Sequence, residues 1–328
     1  MKIDLKSLFN KITEKRILVI GDVMLDKYIW GSVDRISPEA PVPIVHIERT
    51  DYHSGGAANV ARNIHGLGGN VTLIGLIGKD DSGRILKTIL SEDEGIRCQL
   101  VSDNARETIV KTRIIAQGQQ VVRLDRESIS IPSAEIAATL KQTIINSLTE
   151  IDAVILQDYN KGVFTQELIE WIMNLCQKKS IPVYVDPKKN HFSCFSDARL
   201  FKPNLSEFYS RNNDVNDFKK AGELFRKEHN FNMLMITQGE KGMTLFMKNE
   251  ILQIPTKARA VHDVSGAGDT VIATFVLSDL CGLSPAQSAW LSNLAAGRVC
   301  EELGVVPINT ASLLDIVNRS EEHTSELQ

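Results

Sequence analysis

The chain has 328 residues, 43% of them hydrophobic and 24% charged, enough for one large globular domain or two smaller ones. Its 37 Lys and Arg against 41 Asp and Glu give a formal net charge of −4, which argues against a nucleic-acid binder. No apolar run reaches bilayer-spanning length, so no membrane partner is expected, and five scattered cysteines without a Cys-x-x-Cys pair point to a reducing, cytoplasmic setting.

The opening stretch MKIDLKSLFNKITEK is too often interrupted by charge to be a signal peptide. RILVIGD (16–22) then predicts a buried strand ending in Gly-Asp. Asp22 and Asp26 follow its carboxyl end, where parallel sheets bind ligands. A carboxylate there can accept from two sugar hydroxyls; an aspartate that merely caps a turn is the plainer alternative, and the preferred one for Asp22. Residues 27–49 carry three prolines and β-rich pieces without helical period. SGGAANVARN (54–63) opens a helix over 56–68, with Gly55 and Gly56 allowing close backbone approach and Asn59 on the first turn; a helix start with tight packing is the preferred reading on these residues alone.

VTLIGLIG predicts a strand and DSGRILKTILSEDEG a capped helix. ETIVKTRIIAQGQQVVRLD (107–125) reads as two strands around a Gln-Gly-Gln turn, with Lys111 and Arg113 on one face by alternation. Strands at 152–158, 181–186 and 232–239 alternate with helices around 133–149, 164–179 and 214–229. This is an α/β pattern: βαβ units, a mostly parallel sheet covered by helices, and a small accessory sheet from the two helix-free excursions, about 27–50 and 105–125. Such a thin sheet leaves one face in need of a ligand or a second subunit. In KPNLSE (202–207), Asn204 and Glu207 lie three apart at a helix start, a capping box or a contact to hydrated magnesium.

HDVSGAGDTVIATF (262–275) runs a glycine turn into a helix. The N–H groups of Gly266, Ala267 and Gly268 then lack intrahelical partners and face an anion along the helix dipole. No Gly-Lys-Ser/Thr follows, so this is not a Walker loop; Asp269 stands there instead. An acid beside an anion hole suits phosphoryl transfer to an alcohol, which needs a base for the nucleophile and donors for the transferred group. A capping aspartate is the equal alternative on these residues alone. The tail RSEEHTSELQ (319–328) is polar and aperiodic, and is expected to be disordered beyond a single domain at 1–318.

Taken in order, GDVMLD, SGGAANVARN, KPNLSE and DVSGAGDT resemble the ribokinase-like (PfkB) carbohydrate kinases over about residues 14–315. The stretches GDVMLDKYIWGSVDRISPEAPVPIV, GGAANVARNI, QDYNKGV, DPKK and KPNLSEF more narrowly resemble kinases of D-glycero-β-D-manno-heptose 7-phosphate. Some of these are fused to an adenylyltransferase domain, for which no His-x-Gly-His motif appears here. The resemblance implies a three-layer α/β/α domain with a β-sheet lid, and ATP-dependent phosphorylation of the anomeric hydroxyl with Mg2+, a monovalent-cation need being left open. It implies that Asp269 is the base and that Gly266, Ala267 and Gly268 hold the transferring charge. Asn204, Leu205, Ser206, Glu207, Thr237, Gly239 and Asn293 would lie by the nucleotide, Glu207 towards the metal. Asp26, Gly55, Gly56, Asn59 and Asp158 would read the sugar, and Lys111, Arg113, Arg123, Lys161 or Arg35 its 7-phosphate. A homodimer joined through the lids is expected. Other PfkB sugar or nucleoside kinases, or a non-catalytic binding regulator, are the competing readings. A dinucleotide oxidoreductase fails for want of Gly-x-Gly-x-x-Gly after the first strand.

Overall fold

The computed structural model describes residues 3–211, 217–256, 263–302 and 304–326. After α1 (Leu5–Ile12), capped by the Asp4 carboxylate, the chain enters β1 (Arg16–Gly21), whose last five residues are all buried. β2 (Val23–Ile36) leaves the main sheet after one residue and returns as β3 (Pro43–Gly56), with Pro43 at the first position of the strand, where a missing N–H is tolerated. Then come α2 (Ala57–Gly66), β4 (Asn70–Gly78), α3 (Asp81–Glu92) and β5 (Ile96–Asp103). The second excursion is β6 (Ile109–Ala116) and β7 (Gln119–Arg126), joined at Gln117 and Gly118. The remainder is α4 (Ala134–Ser147), β8 (Ala153–Gln157), α5 (Gln166–Lys178), β9 (Val183–Asp186), β10 (Leu200–Phe201), α6 (Leu205–Arg211), α7 (Phe218–Glu228), β11 (Met233–Thr237), β12 (Met243–Phe246), β13 (Ile251–Ile254), α8 (Ala267–Leu280), α9 (Pro285–Cys300) and α10 (Thr310–Glu326).

Among the described residues the main sheet has nine strands in the order β13-β12-β11-β10-β9-β8-β1-β4-β5. It is parallel from β11 to β5, with an antiparallel edge at β12 and β13. Alternation along β1 explains the layers. Ile17 and Val19 join a core with α1, α2, α8, α9 and α10, while Leu18 and Ile20 join a core with α4, α5 and the phenylalanine cluster Phe192, Phe201, Phe225 and Phe231. Burial on both faces is why these strands read as unbroken apolar runs.

The two excursions form one four-stranded lid, β3-β2-β6-β7, with β2 parallel to β6. It is longer than the sequence suggests, because β2 and β3 extend down to Val23 and Gly56. Every residue of β7 is exposed, as are Ile36, Ile47, Val121, Val122 and Leu124. Two expectations change. The helix read over 214–229 begins at Phe218, residues 212–216 lying outside the described ones. The segment 319–328, read as a disordered tail, is helical to Glu326, with 327–328 outside the described residues: its polar composition hid the continuation of α10, whose Leu313 and Val317 anchor it in the core.

Candidate active site

The carboxyl ends of β1, β8, β9, β10 and β11 deliver Asp22, Asp158, Asp186, Lys202 and Thr237 to one edge of the sheet. The amino end of α8 points at the same edge. Gly266 caps that helix with φ +82°, and a β-carbon there would lie 2.7 Å from Asn59 Nδ2, so only glycine fits the turn against α2. Asp269 follows in the first helical turn and is 3% exposed.

Three donors hold its carboxylate. Asn59 Nδ2 donates to Oδ2 at 2.8 Å, while the Tyr159 hydroxyl and Gln157 Nε2 donate to Oδ1 at 2.9 and 3.1 Å. Burial pushes its pKa up to about 7, a rise that the Asn59 and Tyr159 hydrogen bonds oppose and the Asp186 charge reinforces. The carboxyl is thus poised near neutrality, between acid and carboxylate. Gln157 also donates to Asp186 Oδ2 at 3.0 Å, and Asp186 pairs with the buried Lys202 at 3.0 Å. The Lys202 ammonium lies 3.5 Å from where a β-carbon on Gly268 would stand, adding positive charge beside the helix end.

The scaffold fixes this arrangement from behind. Buried Asn63 on α2 accepts from Thr270 on α8 at 2.9 Å and from the Ile308 amide at 3.0 Å. At the far end of α8, Arg199 forks onto Asp279 at 2.9 and 3.0 Å. Among the described residues the N–H groups of Gly266 and Gly268 make no hydrogen bond, as expected of an anion hole. The Ala267 N–H does not stay free: it turns back to Val264 O at 3.3 Å, so two of the three expected amides remain open.

Of the residues expected to read the sugar phosphate, Asp26, Gly55, Gly56, Asn59 and Arg113 lie near one another. Buried Asp26 forms an ion pair with Arg113 across the β2–β6 pair, and a β-carbon on Gly55 would sit 2.1 Å from Asp26 Oδ2. Arg113 reaches towards Ser265 in the α8 turn, at 3.5 Å, and stacks over Tyr28. Lys111, on the same face of β6, makes no ion pair among the described residues; its ammonium is held 5.5 Å above the Tyr159 ring, and burial lowers its pKa. Arg123 is half exposed on the edge strand and pairs with Asp125, Lys161 pairs with Glu127, and Arg35 is exposed near the end of β2. These three do not converge on Asp269. Asp22 takes the capping role preferred for it, accepting from the amides of Tyr159, Lys161 and Val163. The Asp158 carboxylate, expected on the sugar, accepts from the Asn160 amide at 2.7 Å and meets His191 Nδ1 at 2.8 Å. One oxygen thus serves its own loop, where the chain turns immediately after β8, and the other the segment beyond β9.

On the nucleotide side Asn204 and Glu207 form the reciprocal capping box, at 2.8 and 2.9 Å, which starts α6. Glu207 also pairs with Lys188, whose ammonium sits 5.2 Å from the Tyr159 ring. A cavity of about 420 Å³ opens here, lined by Tyr159, Lys188, Asn190, Asn204, Ser206 and Glu207. Leu205 turns inwards against the core. Thr237 bridges to Asn204, Gly239 stands open one strand end away, and Asn293 on α9 donates to Pro255 O at 2.8 Å. A larger recess of 570 Å³ lies at the opposite, amino-terminal edge of β9 to β11, where its one arginine, Arg199, is already bound to Asp279. Tyr159, Gln157, Asp186, Lys188 and Lys202 had no role assigned from sequence, although all five stand inside the quoted runs QDYNKGV, DPKK and KPNLSE.

Residues 14–311 match the pfkB family carbohydrate kinase model. The chain is 39% identical over 320 residues, 96% of its length, to a Caulobacter vibrioides protein named bifunctional protein HldE, and 42% identical over 310 residues, 91% of its length, to one of that name from Granulibacter bethesdensis. It spans 66% and 64% of those two proteins. Among solved structures, phosphofructokinase-2 from Escherichia coli superposes with a TM-score of 0.78 at 18% identity, covering 92% of this chain and 98% of that one. Ribokinase from Thermotoga maritima gives 0.70 at 20% identity, covering 93% and 99%.

Proposed function

From the premise that this chain belongs to the pfkB family of carbohydrate kinases, phosphotransferases acting on sugar hydroxyls, we propose that it phosphorylates the anomeric hydroxyl of D-glycero-β-D-manno-heptose 7-phosphate with ATP, in the supply of heptose for lipopolysaccharide core. One observation carries the reading. A buried carboxylate with a pKa near 7 stands in the first turn of α8 beside two open amides, and Arg113, the ion-pair partner of buried Asp26, reaches towards Ser265 in the turn that leads into that helix.

Asp26 and Asn59 orient the sugar, Asp269 accepts the hydroxyl proton, and the hydroxyl oxygen forms the new P–O bond as the bond to the ADP leaving oxygen breaks. The Gly266 and Gly268 amides, with Lys202 beside them, face the charge on the transferring group. Lys111 and Arg113 meet the 7-phosphate, Lys111 being the better placed since no carboxylate neutralises it. Asn204, Ser206, Glu207, Thr237, Gly239 and Asn293 border the nucleotide. Magnesium supplies charge neutralisation on the phosphates, and Glu207 fits a contact through its waters: it lines the 420 Å³ cavity, and no group of three metal-binding side chains forms a protein cage among the described residues. A phosphofructokinase-2 structure holding potassium, at TM-score 0.77 and 19% identity, makes a monovalent cation worth testing. The exposed apolar lid residues Ile36, Ile47, Val121, Val122 and Leu124 suit a homodimer through the lids.

The test measures ADP release with heptose 7-phosphate, fructose 6-phosphate, ribose and adenosine as acceptors. A kcat/KM at least about 100-fold higher on the heptose phosphate is expected, the discrimination that a site built for one substrate's polar groups achieves. A preference for ribose or adenosine overturns the proposal.

A further inference from the structure

Asp269 is not alone in its pocket, and the group that touches it most exposed to the rest of the site is a phenol. The Tyr159 hydroxyl donates to Asp269 Oδ1 at 2.9 Å. Its loop is held firmly: three successive-turn amides, of Tyr159, Lys161 and Val163, bind Asp22, and Arg106 Nη2 donates to Lys161 O at 2.9 Å and to Ser130 O at 3.2 Å. The ring carries two ammonium groups from two separate elements, Lys111 of the lid strand β6 at 5.5 Å and Lys188, beyond β9, at 5.2 Å. One side chain therefore touches the base, the lid and the nucleotide-side cavity at once.

We propose that Tyr159 is a positioning residue for the transfer step: its hydroxyl fixes Asp269 Oδ1 so that Oδ2 faces the acceptor, and its ring seats Lys111 and Lys188 towards the two phosphate-bearing ends of the site. This rests on the assignment of Asp269 as base. A carboxylate held by few donors can turn about its Cβ–Cγ bond; here Oδ1 accepts from both Tyr159 and Gln157 and Oδ2 from Asn59, so the phenol is one of two clamps on Oδ1 and its loss loosens the carboxylate. Asn59 and Gln157 supply the other two, and of the three only Tyr159 also contacts charged groups on the lid and nucleotide sides. The phenol stays protonated throughout, because burial and then the charges of Asp269 and Asp186 push its pKa well above the usual range. It is a donor, and takes no proton from the substrate.

The charged surroundings of Asp269 are known from each packed element. Asp186 after β9 raises its pKa, and Lys202 after β10 lowers it; Lys188 lies within electrostatic reach. Asn59 of α2, Gln157 of β8 and Tyr159 are neutral donors. Removing one neutral donor leaves the charges in place, so the Asp269 carboxyl should titrate higher by about one pH unit, the weight of a single hydrogen bond to a charged group.

The experiment compares wild type, Tyr159→Phe, Tyr159→Leu and Asp269→Asn. Carbon-13 NMR of aspartate carboxyls, followed from pH 4 to 9, identifies Asp269 by the signal that Asp269→Asn removes, and needs no acceptor. Tyr159→Phe is expected to move that midpoint up by about one unit, and to move the acidic limb of kcat/KM with ATP and heptose 7-phosphate by the same amount. Tyr159→Leu, lacking the ring, is expected to raise KM for ATP and for the sugar phosphate as well, several-fold each. An unmoved NMR midpoint in Tyr159→Phe overturns the proposal even if Asp269→Asn is inactive. An active Asp269→Asn enzyme instead removes the base assignment, which the NMR shift does not address.

Discussion

Replacing Asp269 by asparagine separates the reactivity of this carboxylate from the stability it costs. The loss of the base should lower kcat by about 10²–10⁴ while leaving KM for ATP near its wild-type value. The same substitution should stabilise the fold, and increasingly so at higher pH. The folded pKa is about 7 against the ordinary aspartate value of 3.8, so the folded protein binds the proton more tightly than the unfolded chain. Stability is therefore undiminished below about pH 4, falls as pH rises between the two pKa values, and is lowest above 7. At about 1.4 kcal/mol per unit, the full penalty is about 4 kcal/mol, of which about 3 develops between pH 5 and pH 8. Asparagine carries no such penalty, although its amide meets the Asn59 amide donor and forfeits about 1 kcal/mol. Urea melts of both proteins at pH 5 and pH 8, read beside ADP release, give the two numbers. A stability gap equal at both pH values refutes the buried-charge account. A kcat within fivefold of wild type refutes the assignment of the base.

Gly266→Ala places a methyl group at φ +82° against Asn59 Nδ2, so a stability loss of about 1–3 kcal/mol in urea melts should accompany a fall in kcat. Glu207→Gln keeps the capping box, since glutamine also serves at that position, but breaks the Lys188 ion pair; the midpoint of the Mg2+ dependence should move to several-fold higher concentration at unchanged thermal midpoint. Ile47→Asp charges an apolar lid residue that is 58% exposed, so sedimentation should show a dimer for wild type and a monomer for the variant, with little change in stability of the monomer fold.

The sequence foretold the layered sheet because its inner strands are buried on both faces. Unbroken runs such as RILVIG and AVILQ have few other homes. The lid was legible for the opposite reason, as β-rich excursions without helical period, one rich in proline. Asp26 meets Gly55, and Asn59 meets Gly266 and Asp269, because each stands in a strand or at a helix start on the same edge. Tyr159, Asp186 and Lys202 escaped because their meaning depends on which strands lie side by side. Lys202 pairs with Asp186 through the adjacency of β9 and β10, an order that local pattern does not encode. Asp158 is ambiguous because an acid at a strand end serves equally a ligand or its own loop, and here the Asn160 amide is two residues away.

The same pairings carry a consequence for binding. Arg113 is held by Asp26, Lys188 by Glu207, Lys202 by Asp186 and Lys161 by Glu127. Each of these four cations already has a carboxylate, so an anionic ligand would gain only the difference between two partners. Phosphate dianions win that exchange through greater charge and three acceptor oxygens, whereas a neutral sugar offers hydroxyls alone. If the proposed function holds, affinity for unphosphorylated sugars would thereby be held down by these acids, while Lys111, seated on an aromatic ring, makes no ion pair among the described residues and would respond without displacing one. Selectivity for a phosphorylated acceptor would then follow from internal competition as much as from direct contact.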